Sequence, residues 1–389
     1  MEFELSPEQI DLRDAAAVVL ERFASSEQVR ACIGLPDSAP GSGFDRELWG
    51  VLADQGWLAV ELPAEEGGLG LGMVEVCVLA EQLGRHCAPV PFFGTNLAQH
   101  VLAVAAADEH LPATTREAAA RWTSDLAAGD SIGCVAWSPA VGNSSNTADG
   151  ASTADGASTA DGTEGIVFLT ANPEPTLFAS LADVAVVVAP DAVYAVGLGP
   201  GERPPPEPAM DRTRSLSWLR LEAAPVLRLG GTRRAAAVLD RAAATISAEL
   251  LGSSSRVLEM SVAYAKDRQQ FGQPIGSFQA VKHRLADAMV DVEGMRSSAY
   301  FAAWSLAAGE VSAPLAASAA KAWCSDASGR VMASGLQVHG GIGFTWDHDL
   351  HLFVKRAQLD QSSWGDATYH RERIASMLSR WEASDPSLF

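Results

Sequence analysis

The 389-residue chain is poor in features that would define a secreted, membrane or nucleic-acid-binding protein. Its five cysteines, Cys32, Cys77, Cys87, Cys134 and Cys324, form no CxxC pair and leave an odd one over. That favours reduced thiols, most of them acting as small core residues. Positive charge is scarce: 28 Lys and Arg against 48 Asp and Glu leave a net charge of −20. Such an excess argues against nucleic acid and against anionic membrane surfaces as partners. No apolar run reaches membrane-spanning length. The acidic start, Met1-Glu-Phe-Glu-Leu5, lacks the apolar stretch of a secretory signal. The expectation is a soluble, cytoplasmic protein. Any phosphate-bearing ligand must be met by local basic residues against the overall field.

What is present is an ordinary globular composition, 48% apolar and 20% charged, long enough for two or three domains. Residues 1–125 read as helical. Ser6-Pro7-Glu8-Gln9 combines a Ser N-cap with Pro at the first helical position. A second helix is expected through Leu48, Leu52 and Trp57, and an apolar one from Met73 to Leu83, after a glycine-rich break at Glu61–Gly72.

Residues 126–228 change character. Ile132–Trp137, Val184–Val188 and Val193–Val196 are short β-like runs, and prolines 200, 204, 205, 206 and 208 exclude helix after them. Within this middle β domain, a low-complexity loop at 144–163 carries near-copies of Thr147-Ala-Asp-Gly-Ala-Ser152 that hold nothing apolar larger than Ala. Such repeats cannot bury a core and read as a solvated insertion. Residues 229–389 are helical again, with helices expected over Arg234–Lys266, Phe278–Ala308, Pro314–Val338 and Thr368–Trp381, packed as a four-helix bundle.

Two stretches carry the chemistry. In Ala265-Lys-Asp-Arg-Gln-Gln-Phe-Gly-Gln-Pro-Ile-Gly276, Arg268 offers a guanidinium fork, Gln270 an amide and Phe271 a flat ring. That set suits the pyrophosphate and adenine of a dinucleotide. In Gln337-Val-His-Gly-Gly-Ile-Gly-Phe-Thr345, Gly340 and Gly341 let a backbone approach a phosphate closely. No strand pattern precedes it, so this is no Rossmann fingerprint. Together with Glu61-Leu-Pro-Ala-Glu-Glu-Gly-Gly-Leu-Gly70, the two stretches resemble the acyl-CoA dehydrogenase family over nearly the whole chain. The resemblance implies an α+β fold: an N-terminal helical domain, a small middle β domain and a C-terminal four-helix bundle. It also implies FAD, held by Arg268, Gln270, Phe271, Gln337, Gly340 and Gly341, an acyl-CoA substrate and an electron-transfer flavoprotein as acceptor. In that family a carboxylate takes the α proton while the β hydrogen leaves as hydride to the flavin.

The chain departs from the family where the base should be. Of the two usual Glu positions, one corresponds to Trp364 in Ser362-Ser-Trp-Gly-Asp-Ala367 and the other to Ala242. Neither can take a proton. Asp366 is the nearest carboxylate to the first, with Asp240 and Glu249 flanking the second. The family's Thr-Glu-Pro-x-x-Gly-Ser-Asp motif becomes Trp137-Ser-Pro-Ala-Val-Gly-Asn-Ser144, which keeps Pro139 and Gly142 and loses both acids. The Trp-Ile-Thr flavin contact has no counterpart around Phe168–Thr176. Three readings remain open: one subunit of a heteromeric dehydrogenase whose partner supplies the Glu, a homo-oligomer using Asp366, or a non-catalytic acyl-CoA- or flavin-binding homologue. His348 and His351, with Asp347 and Asp349, lack a third well-placed ligand pattern, and no metal is expected.

Overall fold

The computed structural model describes residues 4–34, 41–138 and 166–384. Its helices are α1 (Pro7–Phe23), α2 (Ser26–Ile33), α3 (Arg46–Asp54), α4 (Met73–Arg85), α5 (Phe92–Ala106), α6 (Ala113–Ala127), α7 (Thr232–Asp267), α8 (Gln279–Ala307), α9 (Ala313–His339), α10 (Leu350–Ser362) and α11 (Ala367–Ser384). The strands are β1 (Gly133–Trp137), β2 (Ile166–Ala171), β3 (Thr176–Leu177), β4 (Val184–Val188), β5 (Ala192–Gly197), β6 (Leu216–Ser217), β7 (Leu221–Gly231), β8 (Gln269–Gln270) and β9 (Gln273–Pro274). The order is helical, then β, then helical, as the sequence led us to expect. The low-complexity loop at 144–163 lies outside the described residues.

The Ser6 cap is a reciprocal capping box: the Gln9 amide N–H donates to the Ser6 hydroxyl, and the Ser6 N–H donates to the Gln9 side chain. The helix expected to run on to Trp57 stops earlier, because Gly56 turns left-handed at φ 73° and Trp57 starts a short 3-10 turn. Helix α10 is an addition to the four expected in the C-terminal bundle.

The described residues form two compact units. One draws on residues 1–41, 72–89 and 240–389, the other on 42–71 and 90–239. In the first, α4, α7, α8 and α9 meet on a core of small side chains, Cys77, Ala80, Ala244, Ala248, Ala302, Ala303 and Ala320 among them. Small residues allow close helix approach, and α4 and α7 take this furthest. A Cβ on Gly252 would lie 1.8 Å from the Glu81 carbonyl oxygen, and one on Gly84 would lie 2.2 Å from that of Glu249. The crossing is therefore backbone on backbone. In the second unit, a five-stranded sheet has the order β1-β4-β5-β7-β2. Only the β1–β4 pair is parallel. Val184 to Val188 are all buried, which explains their unbroken apolar run. Helix α5 packs on β1, with the Thr95 hydroxyl donating to the Gly133 carbonyl at 3.1 Å.

Candidate functional site

The expected cofactor residues gather at one end of the first unit. Helix α7 gives way to the β8–β9 hairpin, whose two-residue turn is Phe271-Gly272. Both residues are left-handed, at φ 52° and 80°. Gly suits that conformation; an aromatic residue adopts it only under strain. Phe271 is 91% exposed and rests edge-on against Phe278 at 6.1 Å. Arg268 and Gln270 are also exposed. The Gln270 side-chain amide donates to the Gln269 carbonyl at 2.8 Å.

The end of α9 is brought alongside by a ring stack between Tyr264 and His339, centroids 4.6 Å apart. His339 is buried, and its Nδ1 lies 2.9 Å from the Gly335 carbonyl. Burial pushes its pKa below the usual imidazole value, against the pull of that carbonyl. A neutral His339 that packs and donates one hydrogen bond follows. Gln337, Gly340 and Gly341 are exposed, and a Cβ added at either glycine meets nothing within 4 Å. Gly343 differs: its Cβ would strike Leu350 at 2.9 Å, so this glycine serves packing. A cation, an outward aromatic face and open backbone fit the adenine–pyrophosphate half of FAD.

The two positions where the resemblance expects the base carry Ala242 and Trp364. Ala242 is fully buried on α7. Trp364 is buried at φ 58°, in a loop pinned on both sides. His370 Nε2 donates to the Trp364 carbonyl at 2.9 Å, and the fully buried Lys321 Nζ donates to the carbonyls of Gly365 at 2.8 Å and Gln361 at 3.1 Å. Burial lowers the Lys321 pKa to about 8, with Asp360, Cys324 and Asp366 pulling the other way. Asp366 is exposed, and its carboxylate accepts the Tyr369 N–H at 2.8 Å, capping the start of α11.

The remaining nearby acids are bound elsewhere. Asp240 accepts from Arg373 at 2.6 Å, and that guanidinium also donates to Ser318 at 2.7 Å. Burial raises the Asp240 pKa while Arg373 opposes it. Glu249 is buried, as its place between Ala248 and Leu250 suggested, and accepts from the buried Arg356 at 2.8 Å. Arg356 also reaches the carbonyls of Cys87 and Ala88 at 3.4 and 3.3 Å. Glu81, which no sequence motif singles out, is a further buried acid; it accepts from Arg296 at 2.9 Å and Tyr300 at 2.5 Å. Its only sequence signal was a carboxylate inside the apolar run of α4.

Of Trp137–Ser144, only Trp137 and Ser138 are described, so the departures at Pro139–Ser144 lie outside the described residues. Asp349 pairs with Arg30 at 2.6 Å, and His348 Nδ1 accepts the Leu350 N–H at 3.1 Å. Among the described residues, no group of three or more His, Cys, Asp or Glu side chains is placed to hold a metal. Among the same residues, no helix is long and apolar enough to cross a membrane.

Comparison with known proteins gives matches over most of the chain. Residues 6–130 match the acyl-CoA dehydrogenase N-terminal domain model and 230–379 the C-terminal domain model. "Acyl-CoA dehydrogenase IpdE2" of Mycolicibacterium smegmatis is 34% identical, the match covering 91% of this chain and 93% of that protein. The ChsE4–ChsE5 complex from Mycobacterium tuberculosis includes a chain with 30% identity and a TM-score of 0.81, the match covering 97% of this chain and 99% of that one. A variant of the Tcur3481–Tcur3483 steroid acyl-CoA dehydrogenase is 25% identical, with a TM-score of 0.77 over 97% of this chain and 99% of that one.

Proposed function

The chain belongs to the acyl-CoA dehydrogenase family, an oxidoreductase acting on acyl-CoA, and from this we propose that it works as one subunit of a heteromeric enzyme whose partner supplies the catalytic Glu. The observation that carries the reading is the occupancy of both base positions by buried non-acids, Ala242 and Trp364. The carboxylates around them are engaged: Asp240 by Arg373, Glu249 by Arg356, and Asp366 by the first turn of α11. Structural neighbours whose names give two chains, ChsE4–ChsE5 and Tcur3481–Tcur3483, support it.

The cofactor is FAD, which when bound accepts the β hydrogen of the thioester as hydride. This chain's part would be to hold it: Arg268 would meet the pyrophosphate, Phe271 would cover the adenine, Gln270 and Gln337 would hydrogen-bond, and Gly340 and Gly341 would admit the phosphates. All six face outward. A dinucleotide gripped from one side only is poorly enclosed, so a second subunit must close over it. An electron-transfer flavoprotein would be the acceptor partner.

A second reading rests on Asp366, the carboxylate two positions beyond Trp364. It makes the chain a self-sufficient homo-oligomer with an unusual base. The test is flavin content and its bleaching by acyl-CoA, for the chain alone and co-produced with a second dehydrogenase subunit. The heteromer reading expects little flavin alone and about one FAD per two chains in a stable mixed complex. Near one FAD per chain when alone, bleached by substrate, would establish the Asp366 reading instead.

A further inference from the structure

Helix α8 is apolar on two sides. Ala288, Val292, Met295, Ala299 and Ala302 on one side are buried. The opposite side carries Val290, Gly294, Ser297, Phe301, Trp304 and, at the cap, Ala308, none of them buried or charged. Val290 is 70% exposed, Phe301 36% and Trp304 37%. A helix that is apolar all round is normally covered all round, and the described residues cover one side. The outward positions follow one another at intervals of four, three, four, three and four residues. That is the 3.5-residue period of a helix that packs along another helix.

Trp304 stacks on Phe301, ring centroids 6.2 Å apart. Trp323 of α9 flanks the stripe, since a Cβ on Gly294 would lie 2.8 Å from its indole nitrogen. With Met289, these side chains expose on the order of 500 Å² of apolar surface, against about 800 Å² per partner in a standard interface. The border is polar and already neutralised: Asp291 pairs with Arg330 at 2.6 Å and Glu293 with Arg296 at 3.5 Å. These acids therefore add little to the repulsion between two chains of net charge −20. Sizes along the stripe fit its own copy. In antiparallel heptad pairing Trp304 meets Gly294, Phe301 meets Ser297 and Val290 meets Ala308, each twice about a two-fold axis. Large faces small at every level, as close packing requires. We propose that α8 is a self-association surface, covered by α8 of a second copy of this chain in antiparallel register. The inference goes beyond the heteromer reading and does not depend on it; combined with it, the seam joins two mixed pairs into a two-plus-two assembly.

Sedimentation equilibrium of the full chain should give twice its 40.8 kDa mass. Phe301→Glu and, separately, Val290→Lys put a charge on the seam at exposed positions. Each should raise the dissociation constant of the dimer at least about tenfold. Cysteine pairs test the register. Val290→Cys combined with Ala308→Cys should cross-link chain to chain on mild oxidation, whereas Val290→Cys alone should not, because the two copies of position 290 lie at opposite ends of the seam. The wild type, with its own five cysteines, is the blank. A monomeric full chain overturns the proposal, and so does a dimer that both charged variants leave intact. Cross-linking by Val290→Cys alone overturns the antiparallel pairing. If the charged variants break only a mixed complex with a second dehydrogenase subunit, the seam belongs to that subunit and the proposal falls. In the mixed complex, Phe301→Glu should halve the mass and leave FAD per pair of subunits unchanged. Flavin content thus reports on the heteromer reading, and mass on this one.

Discussion

Phe271 occupies a turn position where Asn or Gly is the ordinary residue, and left-handed backbone costs about 1–2 kcal/mol for a side chain with a Cβ. With 91% of it exposed, little burial offsets that strain in this chain. Phe271→Asn should therefore leave the melting temperature unchanged or raise stability by up to about 1 kcal/mol. The same change removes the face offered to adenine and should weaken FAD retention in the complex about tenfold, the loss of one aromatic contact. Unchanged flavin release would show that Phe271 does not touch the cofactor. Asp366→Ala separates the two readings of the base. Losing an N-cap costs about 1 kcal/mol, seen as a lower melting temperature. Substrate-dependent flavin reduction by the complex should be untouched; its loss would make Asp366 the base. At this scale the sequence was legible where neighbours decide and illegible where distance does. Glu249 could be placed in a core from its apolar flanks. Its partner Arg356 lies 107 positions away, and nothing local announces it.

The crossing of α4 and α7 shows how the buried acids fit the helices. Gly84 and Gly252 bring the two backbones together, and Glu81 and Glu249 sit at the contact, each neutralised by an arginine from a third helix, Arg296 on α8 and Arg356 on α10. A methyl at Gly252 meets a backbone oxygen that no rotamer change can move. Gly252→Ala should destabilise by about 3 kcal/mol, the upper end of overpacking, measurable in denaturant unfolding. A second expectation concerns the loop between α10 and α11. His370 is fully buried, and burial lowers its pKa to about 4 from an ordinary 6.5, while its bond to the Trp364 carbonyl opposes the shift. Between those values the unfolded chain binds the proton and the folded chain does not. Stability is then fully present above pH 6.5 and falls as pH drops towards 4. His370→Gln, which keeps a donor and cannot titrate, should flatten that part of the stability profile. The long helices were readable from period and caps because their apolar positions repeat at helical spacing. Strand β7 was not, because Pro225 and the Gly230-Gly231 end break the strand pattern. Helix α10 carries Leu350, Phe353 and Ala357 at i, i+3 and i+7, a helical spacing too short to stand out beside the long helices.

Across the whole molecule, the helical–β–helical order was legible because each change of element changes the hydrophobic period. Trp364 and Ala242 stand at fixed distances from recognisable motifs, which is how the sequence assigns them to the positions where the family resemblance expects a Glu. The outward presentation of the proposed cofactor residues was not legible. Arg268, Phe271 and Gln337 read the same in sequence whether they line a closed pocket or an open end of a bundle. On the proposed reading, their exposure makes cofactor binding a property of an assembly. Arg268 also stands against a net charge of −20, so the chain's own field works against a dianionic pyrophosphate. A ligand that binds only the folded complex stabilises it by about 2.7 kcal/mol at a hundredfold excess over its Kd. FAD added at that level should therefore raise the melting temperature of the two-subunit complex and leave that of the isolated chain where it was. An equal rise in the isolated chain would mean that one copy encloses the cofactor unaided, and the half-site reading would fall with it.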